Sequence, residues 1–333
     1  MITVQNKSLT CHFLFQIAHG TFWPVNQAMY GETTIGPSIT PGADDWFHAF
    51  DEHIPEITGG APLSMFEQSA EAATKIIDMF EKGIEKGNHL DAKNCPVFHA
   101  RLNVDGITEK YDKRTMAKFM ISLFWAPQAN TLPMTWWTLA EILRNPRVKA
   151  LVEKEVRTSK FKDAPDAKGH FAVEDEDLPY TRACMYEVFR LYIANLTHRK
   201  VARDFPLNVN GVWRKIPKND MLTVASYVRH YDPSVYDNPT EFRPERWLGA
   251  KKPGIGDFFP FAHGKYSCSG KFLAQLEIPI LVGLFFRDFE TELVNPVPPA
   301  NWDLVVASVR PEGWPYETKC NVRYVRRPAA KKM

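Results

Sequence analysis

A single cysteine, Cys268, lies between two glycines, Gly264 and Gly270, where an apolar pattern with helical spacing begins. A thiolate can bind iron, other soft metals or a substrate carbon, whereas a buried thiol does none of these. Free N–H groups at the start of the expected helix would stabilise an anionic sulfur. The glycines would let the backbone approach something large and flat, and Phe261 would add an apolar wall. The alternative is an inert cysteine packed as a small hydrophobic residue.

The elements that must position this cysteine are predicted to be mainly helical, with a small β region. Helical periodicity predicts helices over residues 64–87, 112–145, 147–158 and 176–192, and a further one from Cys268. Ser64 and Glu67 predict a capping box for the first of these helices. Asn210-Gly211 between apolar runs predicts a hairpin followed by a third strand. Strand-like segments at 289–294, 303–309 and 319–325 end the chain.

Composition limits the classes of function. The chain has 333 residues, 44% hydrophobic and 13% aromatic, which suffices for a large core in a single domain. A net charge of +2 gives no indication of a nucleic-acid partner. The five cysteines are scattered and form no CxxC pair, so neither a zinc site nor a disulfide framework is predicted. No apolar run approaches the roughly 20 residues of a membrane span, and we expect a soluble or at most peripheral chain.

The spacing F-x-x-G-x-x-x-C-x-G, formed by Phe261, Gly264, Cys268 and Gly270, resembles the haem-binding loop of the cytochrome P450 family. In that family the cysteine thiolate is the fifth ligand of the haem iron. The family's usual arginine two residues before the cysteine is Tyr266 here. The resemblance implies a cytochrome P450 fold, mainly α, which in this chain lacks its N-terminal part.

Two further motifs resemble the same family and occur in its order. Glu187 and Arg190 match E-x-x-R on a helix, and residues 242–247 match F-x-P-E-R-[FW], with Arg246 as the arginine. Glu187 and Arg190 lie one turn apart, where a carboxylate and a guanidinium can meet. Arg246, arriving from a distant loop, would complete a charge-assisted cluster that fixes the loop beside the cysteine. Its expected role is structural; the alternative is an ordinary exposed pair.

Two prolines, Pro127 and Pro133, lie inside the long predicted helix. Each removes a backbone donor at a cost of about 3 kcal/mol, so we predict a kink or an opened turn. In the family this helix carries A-G-x-[DE]-T across the distal face of the haem. The aligned residues here are Ala126, Pro127, Gln128, Ala129 and Asn130.

The altered motif resembles the family branch that contains cholesterol and oxysterol 7α-hydroxylases, sterol 12α-hydroxylase and prostacyclin synthase. This resemblance implies that Ala126, Gln128 and Asn130 line the distal oxygen side. Asn130 donates and accepts hydrogen bonds but does not titrate, so proton delivery would need water or substrate. A sterol hydroxylase and an isomerase of lipid endoperoxides are equally compatible with these residues. A third alternative is a non-catalytic fragment that holds no stable haem.

The resemblance further implies haem b, electrons from NADPH through a cytochrome P450 reductase, an apolar lipid or sterol substrate, and the endoplasmic reticulum membrane. Arg199 and Tyr266 are candidates to bind haem propionates, and His230 is expected to be structural. An acidic reductase would dock on lysines around the cysteine loop: Lys251, Lys252, Lys265 and Lys271. We expect one partial catalytic domain with three portions: a helix-rich part at 1–196, the hairpin and haem loop at 197–270, and the last helix and C-terminal strands at 271–328.

Overall fold

The computed structural model describes residues 9–104, 107–159, 161, 177–249, 253–254, 256–302, 307–314 and 318–327. The helices in these residues are α1 Phe13–Tyr30, α2 Ala43–Asp51, α3 Ile54–Thr58, α4 Glu67–Glu85, α5 Pro96–Leu102, α6 Ile107–Lys110, α7 Lys113–Ala129, α8 Thr131–Arg144, α9 Pro146–Thr158, α10 Pro179–Tyr192, α11 Ser226–His230 and α12 Lys271–Asp288. The strands are β1 Leu9–His12, β2 Leu196–Lys200, β3 Phe205–Val209, β4 Val212–Ile216, β5 Met221–Ala225, β6 Phe289–Leu293, β7 Ala300–Asn301, β8 Arg310–Pro311 and β9 Asn321–Arg326. The prediction of a mainly α fold with a small β region is confirmed.

The strands form small antiparallel sheets. One has the order β1-β9-β6, and the others are the pairs β2-β5, β3-β4 and β7-β8. The predicted hairpin is confirmed: Asn210 and Gly211 join β3 to β4 with φ of 51° and 84°, the left-handed pair that a tight turn between twisted strands requires. The third strand, β5, pairs with β2 and not with the hairpin. Of the predicted strand at 303–309, residues 303–306 lie outside the described residues.

The capping box predicted for α4 is wrong. Ser64 lies in a 3-10 turn, Leu63–Met65, and Phe66 precedes the helix without a side-chain hydrogen bond to it. The turn uses the residues that would have formed the cap, so the helix begins at Glu67. Its end at Glu85 lies close to the predicted one.

The long helix predicted over 112–145 is interrupted at Asn130, which separates α7 from α8. Pro127 lies inside α7 and has no N–H, so the Leu123 carbonyl one turn earlier lacks its helical donor. The hydroxyl of Tyr30 on α1 donates to that carbonyl at 2.7 Å. A side chain from another helix therefore satisfies the backbone group that the proline leaves unpaired.

We expect Tyr30→Phe to lower the free energy of unfolding by about 1–2 kcal/mol, because it leaves a partly buried carbonyl without a donor. Tyr30 is fully buried, so water cannot replace the hydroxyl. In a Pro127→Ala background the restored backbone N–H bonds Leu123, and the same tyrosine change should cost clearly less. Denaturant unfolding of the four proteins measures both effects. An equal cost in the two backgrounds would contradict this assignment of the Leu123 carbonyl.

Among the described residues, two large apolar clusters form most of the core, and a small third one contains Ala183, Tyr236 and Trp247. In the first, α8, α10 and α12 contribute buried side chains such as Trp136, Phe189 and Val282, and the loop before α12 leans on it through Phe261. In the second, α1, α2, α4, α5 and α7 pack around aromatic residues such as Phe124. Within the described residues, no helix is long and apolar enough to cross a membrane.

Candidate active site

Cys268 has an exposed side chain, whereas Cys95, Cys184 and Cys320 are buried. Burial raises the pKa of the Cys184 thiol well above its ordinary value and raises that of Cys320 to about 11. These two thiols are therefore held neutral inside the core, where they are unreactive. Among the cysteines whose side chains the structure describes, Cys268 is the one available to a ligand.

The helix after this cysteine begins later than predicted. The Cys268 N–H donates to the Phe261 carbonyl at 2.9 Å, which closes the cysteine loop, residues 258–270. Gly270 then precedes α12, which starts at Lys271 and not at Cys268. The sequence pattern missed this loop bond because apolar spacing continues through it. Cys268 still lies directly in front of the helix N-terminus, where free N–H groups favour an anion.

The two glycines serve different purposes. Gly264 has φ of 66°, a left-handed conformation that glycine adopts without steric cost. The nearby Ala262 has φ of 56°, which is strained for a residue with a Cβ, and such strain is typical of functional loops. At Gly270 a Cβ would lie 3.7 Å from the Cys268 sulfur. Gly270 therefore keeps one side of the sulfur free of a side chain.

Two phenylalanine rings anchor the cysteine loop to α10. The Phe261 ring meets Phe189 edge-on at 5.3 Å between centroids. The Phe258 ring lies 4.3 Å from that of Trp247 and 6.1 Å from that of Tyr186. Both rings pack toward the core, so their observed contribution is to fix the loop on the helix behind it.

Glu187, Arg190 and Arg246 meet in the core behind the cysteine loop. Glu187 accepts hydrogen bonds from the Arg190 guanidinium at 2.7 and 3.0 Å and from Arg246 Nε at 3.1 Å. Glu187 and Arg190 are fully buried, and the Arg246 side chain is 6% exposed. This arrangement is a buried, paired charge cluster and not an exposed helix pair.

Two further donors on the same carboxylate were missed by sequence reasoning. Trp247 Nε1 donates to Glu187 at 2.8 Å, and the Arg243 backbone N–H donates at 3.1 Å. Trp247 is the last residue of the F-x-P-E-R-[FW] motif, and a buried indole N–H needs an acceptor. The motif could therefore have indicated that Trp247 donates a hydrogen bond to this cluster. Arg190 in turn donates to backbone carbonyls from residues 230–241. Glu187 thus fixes the segment that leads into the cysteine loop.

His230 contacts the cysteine loop through one ring nitrogen, whereas its buried Nδ1 has no hydrogen-bond partner among the described residues. Its Nε2 accepts the Phe259 N–H at 3.2 Å, so the ring supports the cysteine loop from behind. Burial, together with the charge of Arg190, lowers the pKa of His230 to about 4. The ring is therefore neutral near pH 7, as an acceptor of this bond must be.

The residues at the junction of α7 and α8 do not share one surface. Ala126 is exposed and Asn130 is half-buried, whereas Gln128 is 1% exposed. Gln128 Nε2 has no hydrogen-bond partner among the described residues. Asn130 Oδ1 accepts from the hydroxyl of Ser308 at 3.0 Å, a contact that the sequence did not indicate. Ala126 and Asn130 are accessible, and Gln128 lies in the core.

Arg199 and Tyr266, both expected near haem propionates, contact each other. The Arg199 guanidinium lies 4.4 Å from the Tyr266 ring centroid, and both side chains are exposed. Stacking on an aromatic face holds a guanidinium in place while its N–H groups stay available. Lys265 is exposed in the same loop; Lys251 and Lys252 lie outside the described residues.

Glu277, on α12 beyond the cysteine, is a buried carboxyl whose Oε2 has no partner among the described residues. Burial raises its pKa from the ordinary value of 4.5 to about 7. Between these values the folded protein holds a proton that the unfolded chain has released, so stability falls as pH rises through this window.

We expect Glu277→Gln to remove this part of the pH dependence. At about pH 4 the two proteins should have nearly the same free energy of unfolding, because both carry a neutral side chain. At about pH 8 the glutamine variant should be more stable by about 1–3 kcal/mol. Denaturant unfolding across the range measures the difference. A difference that stays constant from about pH 4 to about pH 8 would contradict the prediction.

The cysteine loop fits a single soft-metal contact from sulfur better than a chelating metal site. Within the part of the chain that the structure describes, no group of three or more His, Cys, Asp or Glu side chains could hold a metal ion. One accessible thiol, with a glycine beside the sulfur, is the donor set that an iron carried by its own macrocycle requires. The residues present therefore fit a haem.

Comparison with known proteins agrees with a haem site at the cysteine loop. The sequence model of the family described as Cytochrome P450 matches residues 45–313. The chain is 27% identical to the cholesterol 7-alpha-monooxygenase of Cricetulus griseus over 268 residues, 75% of this chain and 52% of that protein. It is 25% identical to the 24-hydroxycholesterol 7-alpha-hydroxylase of Homo sapiens over 287 residues, 85% of this chain and 59% of that protein.

A third relative is the 7-alpha-hydroxycholest-4-en-3-one 12-alpha-hydroxylase of Oryctolagus cuniculus, 28% identical over 217 residues, 60% of this chain and 42% of that protein. The chain spans about half the length of the curated relatives it matches. The match to the family model shows the family. The sterol substrates in the names of these relatives are properties of those proteins.

Proposed function

This chain belongs to the cytochrome P450 family. We propose that it is the catalytic part of a haem-dependent monooxygenase, which hydroxylates a sterol or a similar apolar lipid. The single observation that carries the proposal is the exposed thiol of Cys268 in a loop closed by its own N–H. The branch resemblance and the relatives named for sterol substrates support the substrate class.

Each residue of the site has a proposed role. Cys268 binds the iron through sulfur, and Gly270 leaves the space beside it. Glu187 and Arg190, with Arg246, hold the loop so that the sulfur keeps one position. Bound haem b would supply the redox chemistry and the activation of oxygen. Phe261 and Gly264 shape the loop through packing and through a left-handed backbone.

For the distal side that the family resemblance implies, we assign Ala126 to the floor of the substrate space, because its side chain is small and exposed. Asn130 contributes a hydrogen bond there. Gln128 supports the junction from within the core. Arg199, held against Tyr266, binds a haem propionate through the N–H groups that do not donate to the His198 carbonyl.

The partners follow from the same proposal. Electrons come from NADPH through a reductase with an acidic docking face. Lys265 and Lys271, which lie near the cysteine in the chain, would bind that acidic face. The endoplasmic reticulum membrane is the proposed location, since the substrate class is apolar and the resemblance is to a branch working there.

A second candidate is a haem-thiolate isomerase of lipid endoperoxides. It is favoured by one observation: the contact partners Asn130 and Ser308 are both non-titrating, so this contact, among the described residues, is not a relay of ionisable groups. An isomerase needs none, since its peroxide substrate already contains the oxygen. It predicts turnover without NADPH or molecular oxygen.

The proposed function is tested with purified protein supplied with haem, a reductase and NADPH. We expect a thiolate-type Soret band in the carbon monoxide difference spectrum of the reduced protein, and sterol-dependent oxygen consumption at an oxygen electrode. Rearrangement of a lipid endoperoxide without oxygen uptake would favour the isomerase. If the band is absent and the protein does not bind haem at a 1:1 ratio, the chain is a non-catalytic fragment.

A further inference from the structure

We propose that Ser308 is a positioning residue, which holds the side-chain carbonyl of Asn130 so that the amide NH2 group is presented as a hydrogen-bond donor to an oxygen atom of the bound ligand. This inference deepens the proposed function and rests on it for the identity of the ligand. The contact itself, Ser308 Oγ to Asn130 Oδ1 at 3.0 Å, depends only on the fold.

The segment that carries Ser308 is fixed on two helices. The Val309 N–H donates to the Tyr192 carbonyl at the end of α10, at 2.8 Å. The Val309 carbonyl accepts from Trp137 Nε1 of α8 at 2.9 Å. Trp137 in turn stacks on Tyr192 with centroids 3.9 Å apart. Ser308 is 4% exposed, so its hydroxyl is held at one place next to Asn130.

Neighbouring residues of the segment attach it to further elements. The Ala307 carbonyl accepts the Ala194 N–H at 2.7 Å. Arg310 donates to Asp51 of α2 at 3.0 Å, and the same Asp51 oxygen accepts Trp125 Nε1 of α7 at 2.7 Å. The segment is therefore anchored to α7 and α8 on both sides of Asn130, the residue where the helix is interrupted. An anchored segment can hold a side chain that an interrupted helix alone would leave free to rotate.

The orientation of the amide decides what Asn130 offers. An asparagine side chain has one acceptor oxygen and one donor nitrogen. At Asn130 the oxygen accepts from Ser308, and the nitrogen has no hydrogen-bond partner among the described residues. In the half-buried side chain the NH2 group is therefore the unpartnered donor, while Ser308 occupies one lone pair of the oxygen. A ligand with an acceptor oxygen, such as a hydroxyl, ketone or peroxide oxygen, matches this donor.

The first test needs no haem. A double-mutant cycle with Ser308→Ala and Asn130→Ala measures their coupling through the unfolding equilibrium of the full chain. We expect the two changes to be non-additive by about threefold to tenfold in that equilibrium constant. Additive effects would show that the two side chains do not interact, and would overturn the proposal.

The second test reports the direction of the amide. In the haem-loaded protein with carbon monoxide, the infrared C–O stretching band responds to a nearby hydrogen-bond donor. We expect a broader, shifted band for Ser308→Ala and for Asn130→Asp, and the wild-type band for Ser308→Thr, which keeps the hydroxyl. A wild-type band for Ser308→Ala combined with a shifted band for Asn130→Asp would overturn the positioning role.

The two proposals fail differently. If wild-type protein forms no thiolate complex with carbon monoxide, the proposed function fails, and the stability cycle still decides whether Ser308 positions Asn130. If the complex forms and the cycle is additive, the proposed function stands and the role of Ser308 does not.

Discussion

Cys268→Ala is expected to abolish the thiolate-type Soret band of the reduced carbon monoxide complex and all haem-dependent turnover. Of the cysteines whose side chains the structure describes, the other three, Cys95, Cys184 and Cys320, are buried in the core and cannot replace its sulfur without unfolding. The loss should therefore be complete and not graded. Spectra of the reduced protein with and without carbon monoxide measure it, and circular dichroism checks that the variant is folded.

Two matched variants sharpen this result. Cys268→Ser keeps the size of the side chain and replaces sulfur with oxygen, so it should also lose the thiolate band. Ser269→Ala changes the exposed neighbour in the same loop and should keep it. Free Cys268 should be alkylated rapidly, and haem should protect it. A thiolate band that persists in Cys268→Ala would exclude Cys268 as the ligand.

Glu187→Gln is expected to lower the free energy of unfolding by about 3–5 kcal/mol, because it leaves Arg190 as an uncompensated buried charge. The substitution also replaces one acceptor oxygen by an NH2 group. In place of Oε1 this group would face the N–H donors of Arg243 and Arg246, and in place of Oε2 it would face that of Trp247. The cysteine loop loses its anchor as well, so haem retention should fall together with stability. Denaturant unfolding and haem titration measure the two effects.

The control is the helix pair Glu71 and Lys75, which has the same charge types on an exposed surface at 2.8 Å. Glu71→Gln should change stability little, since water screens exposed pairs. Equal effects of the two substitutions would show that burial of the Glu187 cluster contributes nothing. A loss of haem without a loss of stability would show that the cluster's effect on the cysteine loop is separate from its contribution to stability.

The sequence by itself determined the features that depend on local spacing. The mainly α class follows from helical periodicity, and the hairpin follows from Asn210-Gly211, because only residues tolerant of positive φ turn twisted strands so tightly. The motif around Cys268 was also recognisable from the sequence, because its glycines and cysteine lie within a few residues of one another. Glu187 and Arg190 lie on one helix face at a fixed offset, so their meeting was predictable as well.

Only the tertiary structure decided the contacts between segments distant in the chain. The start of α12 moved to Lys271 because Cys268 uses its N–H in a loop bond, and Gln128 proved buried because a second core packs around α7. Tyr30 reaches Leu123 and Ser308 reaches Asn130 across long separations that no periodicity encodes. Hydrogen bonds at interrupted helices are satisfied by whichever side chain packing brings near, and packing is a property of the whole fold.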